Sequence, residues 1–305
     1  NPVLSENLSG LEPCFGRGDQ NYDLIEGRVL KNLKSLSGHS NIARLQGSGS
    51  AALEVMISNF AFGKVLIIDT GYYAQRLYNM AKNACTFFKG IKSVEIIDWK
   101  SMDEIEQPYD WLVACYTETS IGLKSDVKKL KQISEKCGAQ LMLDATASMG
   151  LEDKHDLADV IGYSSCKGLF GLTGAAFVAF NELPQVEVPS FNLSLLSHLE
   201  KKMTGPYHAI CSLDKVMMKH EQIRQAVYTC KKVFAERFSD QLVFPRSLQP
   251  QLCTQVVGKI ESLDKRAILY TPRALDDGRS VVCHLGEVHL ADASLGEINE
   301  CLTLN

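Results

Sequence analysis

The sequence contains no run of eighteen apolar residues and no basic leader followed by an apolar core, so it gives no support for a membrane span or for secretion. It contains no block of lysine or arginine, and a net charge of −4 over 305 residues offers nucleic acid no electrostatic footprint. It has no C-x-x-C pair. Its ten cysteines stand singly, several inside apolar stretches where a thiol packs as a small hydrophobe. A chain long enough to bury a large core needs no disulfide staples. The seven histidines lack the tight spacing of a metal set, and there is no internal repeat or low-complexity tract. These absences describe a globular protein of a reducing, cytoplasmic setting.

What is present is ordinary in amount, with 45% hydrophobic and 22% charged residues, and specific in order. Residues 1–20, rich in Gly, Pro, Asn and Ser, read as an irregular arm. Residues 21–37 carry Leu24, Ile25, Val29, Leu30 and Leu33 at helical spacing. An alternation follows: strands at 64–69, 94–97, 111–115, 140–144, 159–163 and 175–180, with helices at 72–82 and 127–137 between them. Strands alternating with helices imply an α/β fold around a mostly parallel sheet covered on both faces. Residues 181–206 leave the pattern. From 207 to 238 the spacing of Ile210, Leu213, Met217, Val227, Cys230 and Phe234 predicts one long amphipathic helix. Residues 240–305 mix short strands with a closing helix near 294–303. The division expected is an arm (1–20), a large domain (21–190) and a small α+β domain (191–305).

Three stretches carry chemistry. In Ser164-Ser165-Cys166-Lys167-Gly168-Leu169-Phe170-Gly171, one lysine lies between two apolar strands among small residues. Alone it reads as an exposed loop amine or as an amine held for covalent chemistry. Upstream, an apolar run ends in Asp144 at the C-terminal end of a strand, the edge at which open α/β sheets bind ligands. Further upstream, Gly47-Ser48-Gly49-Ser50 turns into a helical pattern, whose free N–H groups and hydroxyls make an anion site. Phosphate cradle, buried carboxylate and lysine are what pyridoxal phosphate needs: its phosphate held, an acid against its pyridine nitrogen, and an amine to attach it.

With these motifs the chain resembles the class V, fold-type I aminotransferases, among them the 2-aminoethylphosphonate–pyruvate and alanine–glyoxylate transaminases, from about residue 1 to about 220 and weakly near the C-terminus. The resemblance implies a seven-stranded, mostly parallel sheet and a homodimer with a shared active site. It implies that Lys167 attaches the cofactor and moves the proton, and that Asp144 holds the pyridine nitrogen protonated. Ser48, Gly49 and Ser50 match the family's Ser-Gly-Thr phosphate motif. Tyr73, in Gly71-Tyr72-Tyr73-Ala74-Gln75-Arg76, takes the place of the aromatic that stacks on the cofactor ring. Thr119, in Thr117-Glu118-Thr119-Ser120-Ile121-Gly122, takes that of the partner of the phenolic oxygen, with Thr117 where the family has His. Thr204 takes that of the threonine reaching a phosphate in the neighbouring subunit, and Arg17 lies on the arm that crosses the substrate region. The bland alternatives are a turn-capping Asp144 and a core Tyr73.

One departure bears on substrate. The family's carboxylate-gripping arginine falls on Val281, in Ser280-Val281-Val282-Cys283-His284-Leu285-Gly286. Arg279 is two residues away, on the same face of a strand, and is the candidate substitute. The function expected is transfer of an amino group from a small amine or amino acid, 2-aminoethylphosphonate first, to a 2-oxo acid such as pyruvate. The alternatives are a lyase or decarboxylase on a substrate without a gripped carboxylate, and a non-catalytic protein of the same fold.

Overall fold

The computed structural model describes residues 10–11, 18–200, 203–263, 278–285 and 300–304. Helix α1 (Gln20–Ser37) is started by Asp19, whose carboxylate accepts from the N–H groups of Asn21 and Tyr22 at 2.9 and 3.1 Å, and is stopped by Gly38 at φ 74°. Strand β1 (Asn41–Gln46), helix α2 (Gly49–Phe60), β2 (Gly63–Asp69), α3 (Tyr72–Phe87), β3 (Ile91–Asp98) and β4 (Trp111–Cys115) follow. Then come the short pair β5 (Thr117–Glu118) and β6 (Leu123–Lys124), helix α4 (Val127–Cys137), β7 (Gln140–Asp144), β8 (Val160–Ser164) and β9 (Ala175–Phe180).

The main sheet has seven strands in the order β1-β9-β8-β7-β4-β2-β3. Strands β8, β7, β4, β2 and β3 pair in parallel, and β9 runs antiparallel to both β1 and β8. Six strands therefore share one direction, in agreement with the mostly parallel sheet expected. Period-two alternation sends Leu66, Ile68, Leu112, Leu141 and Leu143 into one buried layer with Val29 and Leu33 of α1 and Leu130 of α4. It sends Val65, Ile67, Trp111, Val113 and Met142 into the other, with Leu53 and Met56 of α2 and Leu77 of α3. Burial on both faces explains why these strands read as continuous apolar runs. Strand β1 was not legible as a strand: its polar Asn41, Arg44 and Gln46 at the sheet edge interrupt the apolar run.

After the sheet come α5 (Leu195–Glu200), α6 (Tyr207–Met217) and α7 (His220–Arg237). The single helix expected over 207–238 is thus two, broken at Met218 and Lys219. No proline or glycine marks the break; the His220 side chain instead turns back to the Lys167 loop, as described below. Strands β10 (Cys253–Val257) and β12 (Arg279–Cys283) pair antiparallel, as do β11 (Ile260–Ser262) and β13 (Leu302–Leu304). Phe234, Phe238, Val256, Ile260 and Leu302 form a buried cluster joining α7 to these strands. The closing helix expected near 294–303 falls mostly outside the described residues, and its last positions lie in β13. Arg17 and most of the arm also lie outside them. No helix among the described residues is long and apolar enough to cross a membrane.

Candidate active site

Six strands running one way put six C-terminal ends on one edge. Ser48, Gly49 and Ser50 follow β1, Tyr73 follows β2, Thr119 follows β4, Asp144 closes β7 and Lys167 follows β8. Five segments remote in sequence therefore meet at the ligand-binding edge of the sheet.

At one end of the site, α2 begins at Gly49, and the Ser48 side chain makes no capping hydrogen bond. The first N–H groups of a helix have no intrahelical acceptor, so this turn presents donors and the positive end of the helix dipole. Gly49 is required by a close approach: a Cβ there would stand 2.8 Å from Thr146 Cγ2 and 3.0 Å from Thr146 Oγ1. At the other end Asp144 is buried, and its Oδ1 accepts from the Thr146 N–H at 2.9 Å. Lys167 Nζ stands 5.6 Å from the centroid of the Tyr73 ring. The Oγ1 atoms of Thr117 and Thr146 are buried without a protein partner among the described residues. Buried polar atoms left open suit a polar ligand.

Glu118 builds the wall that carries Tyr73. Helix α3 has Gly71 (φ 139°) at its N-cap, which offers no side chain. The fully buried Glu118 caps it instead: Oε2 accepts from the N–H groups of Tyr73 and Ala74 at 3.0 and 3.2 Å, and Oε1 from Ser120 N at 3.3 Å and from Ser120 Oγ. Burial pushes the Glu118 carboxyl up from its ordinary range, and these hydrogen bonds oppose the shift. Replacing Glu118 by Ala would leave buried donors unsatisfied and expose the helix end. We expect Glu118→Ala to lower stability by about 3 kcal/mol, read as a lower urea midpoint at unchanged slope.

Lys167 lies in a single 3₁₀ turn (Lys167–Leu169) at φ 55°, with Phe170 at φ 59°. Two left-handed non-glycine residues three positions apart need outside support. It comes from His220 at the start of α7, whose Nε2–H donates to the Gly168 carbonyl at 2.9 Å and whose ring packs on Phe170 at 5.2 Å. Burial pushes the His220 imidazole below its ordinary pKa, which keeps it neutral. Ser212 Oγ accepts from Leu172 N at 3.0 Å, and Ser165 Oγ donates to the Leu172 carbonyl at 2.5 Å.

Strands β10 and β12 pair near enough to the lysine for its charge to act on them. Burial raises the Cys253 thiol, and the Lys167 charge opposes this. Cys283 lies opposite Cys253 and Val281 opposite Gln255. Val281 is buried, and Gln255 Oε1 is buried without a partner among the described residues. Arg279 is exposed at the far end of β12, opposite Val257. Thr204 is also exposed, its carbonyl 3.5 Å from Arg44 Nη1 on β1, so the structure does not bring it against Asp144 or Lys167 of its own chain. Among the described residues no cluster of His, Cys, Asp and Glu could hold a metal ion.

The structure adds Arg76 to the residues expected. Its Nη1 donates to Ser50 Oγ at 3.0 Å, its Nη2 is 3.5 Å from Asp144 Oδ2, and its Cζ is 4.8 Å from the Tyr73 centroid. The signal was spacing: on a helix Arg76 is three residues beyond Tyr73 and shares its face.

The fold is that of the class V aminotransferases, enzymes that use pyridoxal phosphate. The alanine–glyoxylate aminotransferase of Nostoc sp. superposes with a TM-score of 0.70 at 20% identity, over 84% of this chain and 76% of that one. In sequence, the chain is 23% identical to the 2-aminoethylphosphonate–pyruvate transaminase of Pseudomonas aeruginosa over 233 residues, 68% of this chain and 62% of that protein. It is 27% identical to an uncharacterized aminotransferase of Methanocaldococcus jannaschii over 220 residues, 64% of this chain and 56% of that one. The chain thus spans less than two thirds of the length of these curated relatives. No protein-family profile matches it.

Proposed function

We propose that the protein is a pyridoxal-phosphate-dependent aminotransferase of a reducing, cytoplasmic setting, with 2-aminoethylphosphonate as the favoured amino donor and pyruvate as the acceptor. The observation that carries this reading is the meeting of Ser50, Tyr73, Asp144 and Lys167 at one sheet edge. The residues fit the cofactor: a glycine-dependent turn at a helix start for the phosphate, a buried carboxylate for the pyridine nitrogen, an aromatic face for the ring, and an amine within reach of that face. When bound, pyridoxal phosphate supplies an electron-withdrawing ring conjugated to the carbon through which the amino group passes. Asp144 would keep the ring nitrogen protonated, Tyr73 would orient the ring, and Thr119 would hydrogen-bond the phenolic oxygen. The Lys167 amine would be the group that holds the cofactor, and the base that carries the proton of the transfer. Thr204, exposed and with its carbonyl against Arg44, suits a contribution to a second subunit in a homodimer.

Val281 supports a second reading. A buried aliphatic residue stands where the resembled family has its arginine, so a lyase or decarboxylase on a substrate without a gripped carboxylate remains the alternative. Adding 2-aminoethylphosphonate to the protein loaded with pyridoxal phosphate separates them. The proposal expects the visible absorption of the bound cofactor to bleach, and pyruvate to restore it with formation of alanine. Bleaching absent with this amine but present with another small amine would retain the aminotransferase and remove the phosphonate. Product released from the amine without any 2-oxo acid would establish the alternative.

A further inference from the structure

We propose that Arg76 is a binding residue for the cofactor's phosphate, the cation that the Ser48–Gly49–Ser50 turn does not itself contain; this rests on the cofactor reading above. That turn offers only neutral donors, whereas the ligand it would hold is close to a dianion. The guanidinium of Arg76 is already hydrogen-bonded to the turn through Ser50 Oγ at 3.0 Å. Its second contact, with Asp144 Oδ2, is 3.5 Å long, beyond an ordinary hydrogen bond. Its Nε is buried with no partner among the described residues. Of five donors in a fixed fork, one is committed and a buried one is open. A guanidinium with spare donors is matched by the oxygens of a phosphate, which it binds two at a time. The guanidinium lies over Tyr73, its Cζ 4.8 Å from the centroid, which holds it beside the ring that the cofactor would face. Residues from three strand ends, Ser50, Tyr73 and Asp144, thus hold one arginine against both proposed anchors of the ligand.

The test compares pyridoxal phosphate with pyridoxal, which lacks the phosphate, by quenching of the intrinsic fluorescence of the unloaded chain. Arg76→Gln is expected to weaken pyridoxal phosphate binding by about tenfold or more and pyridoxal binding by less than about twofold. Arg76→Lys, which keeps the charge and loses the fork, is expected to fall between Arg76→Gln and the unaltered chain. Equal binding by Arg76→Gln and the unaltered chain overturns the proposal and leaves the cofactor reading standing. Equal losses for both ligands also overturn it, because they report a structural role alone. Failure of the unaltered chain to bind pyridoxal phosphate removes both. A measurement that needs no variant is arginine modification by phenylglyoxal, mapped by mass spectrometry. Pyridoxal phosphate and inorganic phosphate should protect Arg76 and pyridoxal should not; equal modification under all conditions overturns the proposal.

Discussion

Lys167→Ala is expected to fold normally and to lose turnover by roughly a thousandfold or more. The loss is large because one amine serves twice in the proposed chemistry, as the point of attachment and as the carrier of the proton. The fold should be indifferent. Lys167 is half-buried, and its amine lies 5.6 Å from the Tyr73 centroid, a contact worth about 0.5–1 kcal/mol at a partly exposed site. Its left-handed backbone at φ 55° is equally unfavourable for alanine, so the substitution neither adds nor relieves strain. The thermal midpoint should therefore stay within a few degrees. The direct check is hydride reduction of the loaded protein followed by peptide mass spectrometry. The cofactor's mass should appear on the Lys167 peptide of the unaltered chain and on no peptide of the variant. A label on another lysine in both proteins would remove Lys167 from the reaction.

The layout of the site was legible because its elements carry strong local signals. Buried parallel strands are continuous apolar runs, and Asp144 and the Lys167 loop stand where such runs stop. The turn at Ser48–Ser50 showed itself by small residues, although the strand before it did not. Strand β1 lies at the edge of the sheet and pairs with β9 alone, and its polar Arg44 bonds to Glu26 at 2.6 Å and to the Met203 carbonyl at 3.2 Å. Its identity depends on contacts that no window of sequence contains.

The residues missed were those whose roles are set by distant partners. Glu118 and Arg76 both stand in segments that the resemblance singled out, yet periodicity says only which helix face a residue occupies. That Arg76 turns to Ser50 and Asp144 rather than to water, and that Glu118 caps a helix it does not belong to, are facts of tertiary packing. The break before His220 is of the same kind. Apolar spacing runs through both α6 and α7, and only the bond from His220 to Gly168 shows why the chain reorients there. Val281 is the reverse case: the departure from the family was plain in sequence, and the structure adds that the residue is buried and faces Gln255 across the strand pair.

The second large effect is expected from a methyl group beside that lysine. A Cβ on Gly168 would stand 2.4 Å from the Met149 carbonyl oxygen and 2.8 Å from Leu151 Cγ; a Cβ on Gly150, at φ 85°, would stand 2.4 Å from the Gly168 carbonyl oxygen and 2.8 Å from His220 Nε2. The two glycines let the segment after β7 and the Lys167 loop lie backbone against backbone. Neither obstacle is a flexible side-chain tip, so either substitution must push the loop away. Overpacking of this kind costs about 1–3 kcal/mol, and Gly150→Ala adds about 1 kcal/mol for its left-handed backbone. The functional cost should exceed what stability alone explains, because the displaced atom is the acceptor for His220 and the next residue back is Lys167. Gly168→Ala is therefore expected to lower turnover by about a hundredfold in protein that remains folded at the assay temperature. His220→Ala, which removes the same support without adding bulk, should show a milder form of the same defect. Stability is read from the urea midpoint, and the geometry of the lysine from the rate of cofactor attachment under excess ligand. A Gly168→Ala protein that attaches cofactor at the unaltered rate would show that the loop yields without moving Lys167, and that its close packing serves the fold alone.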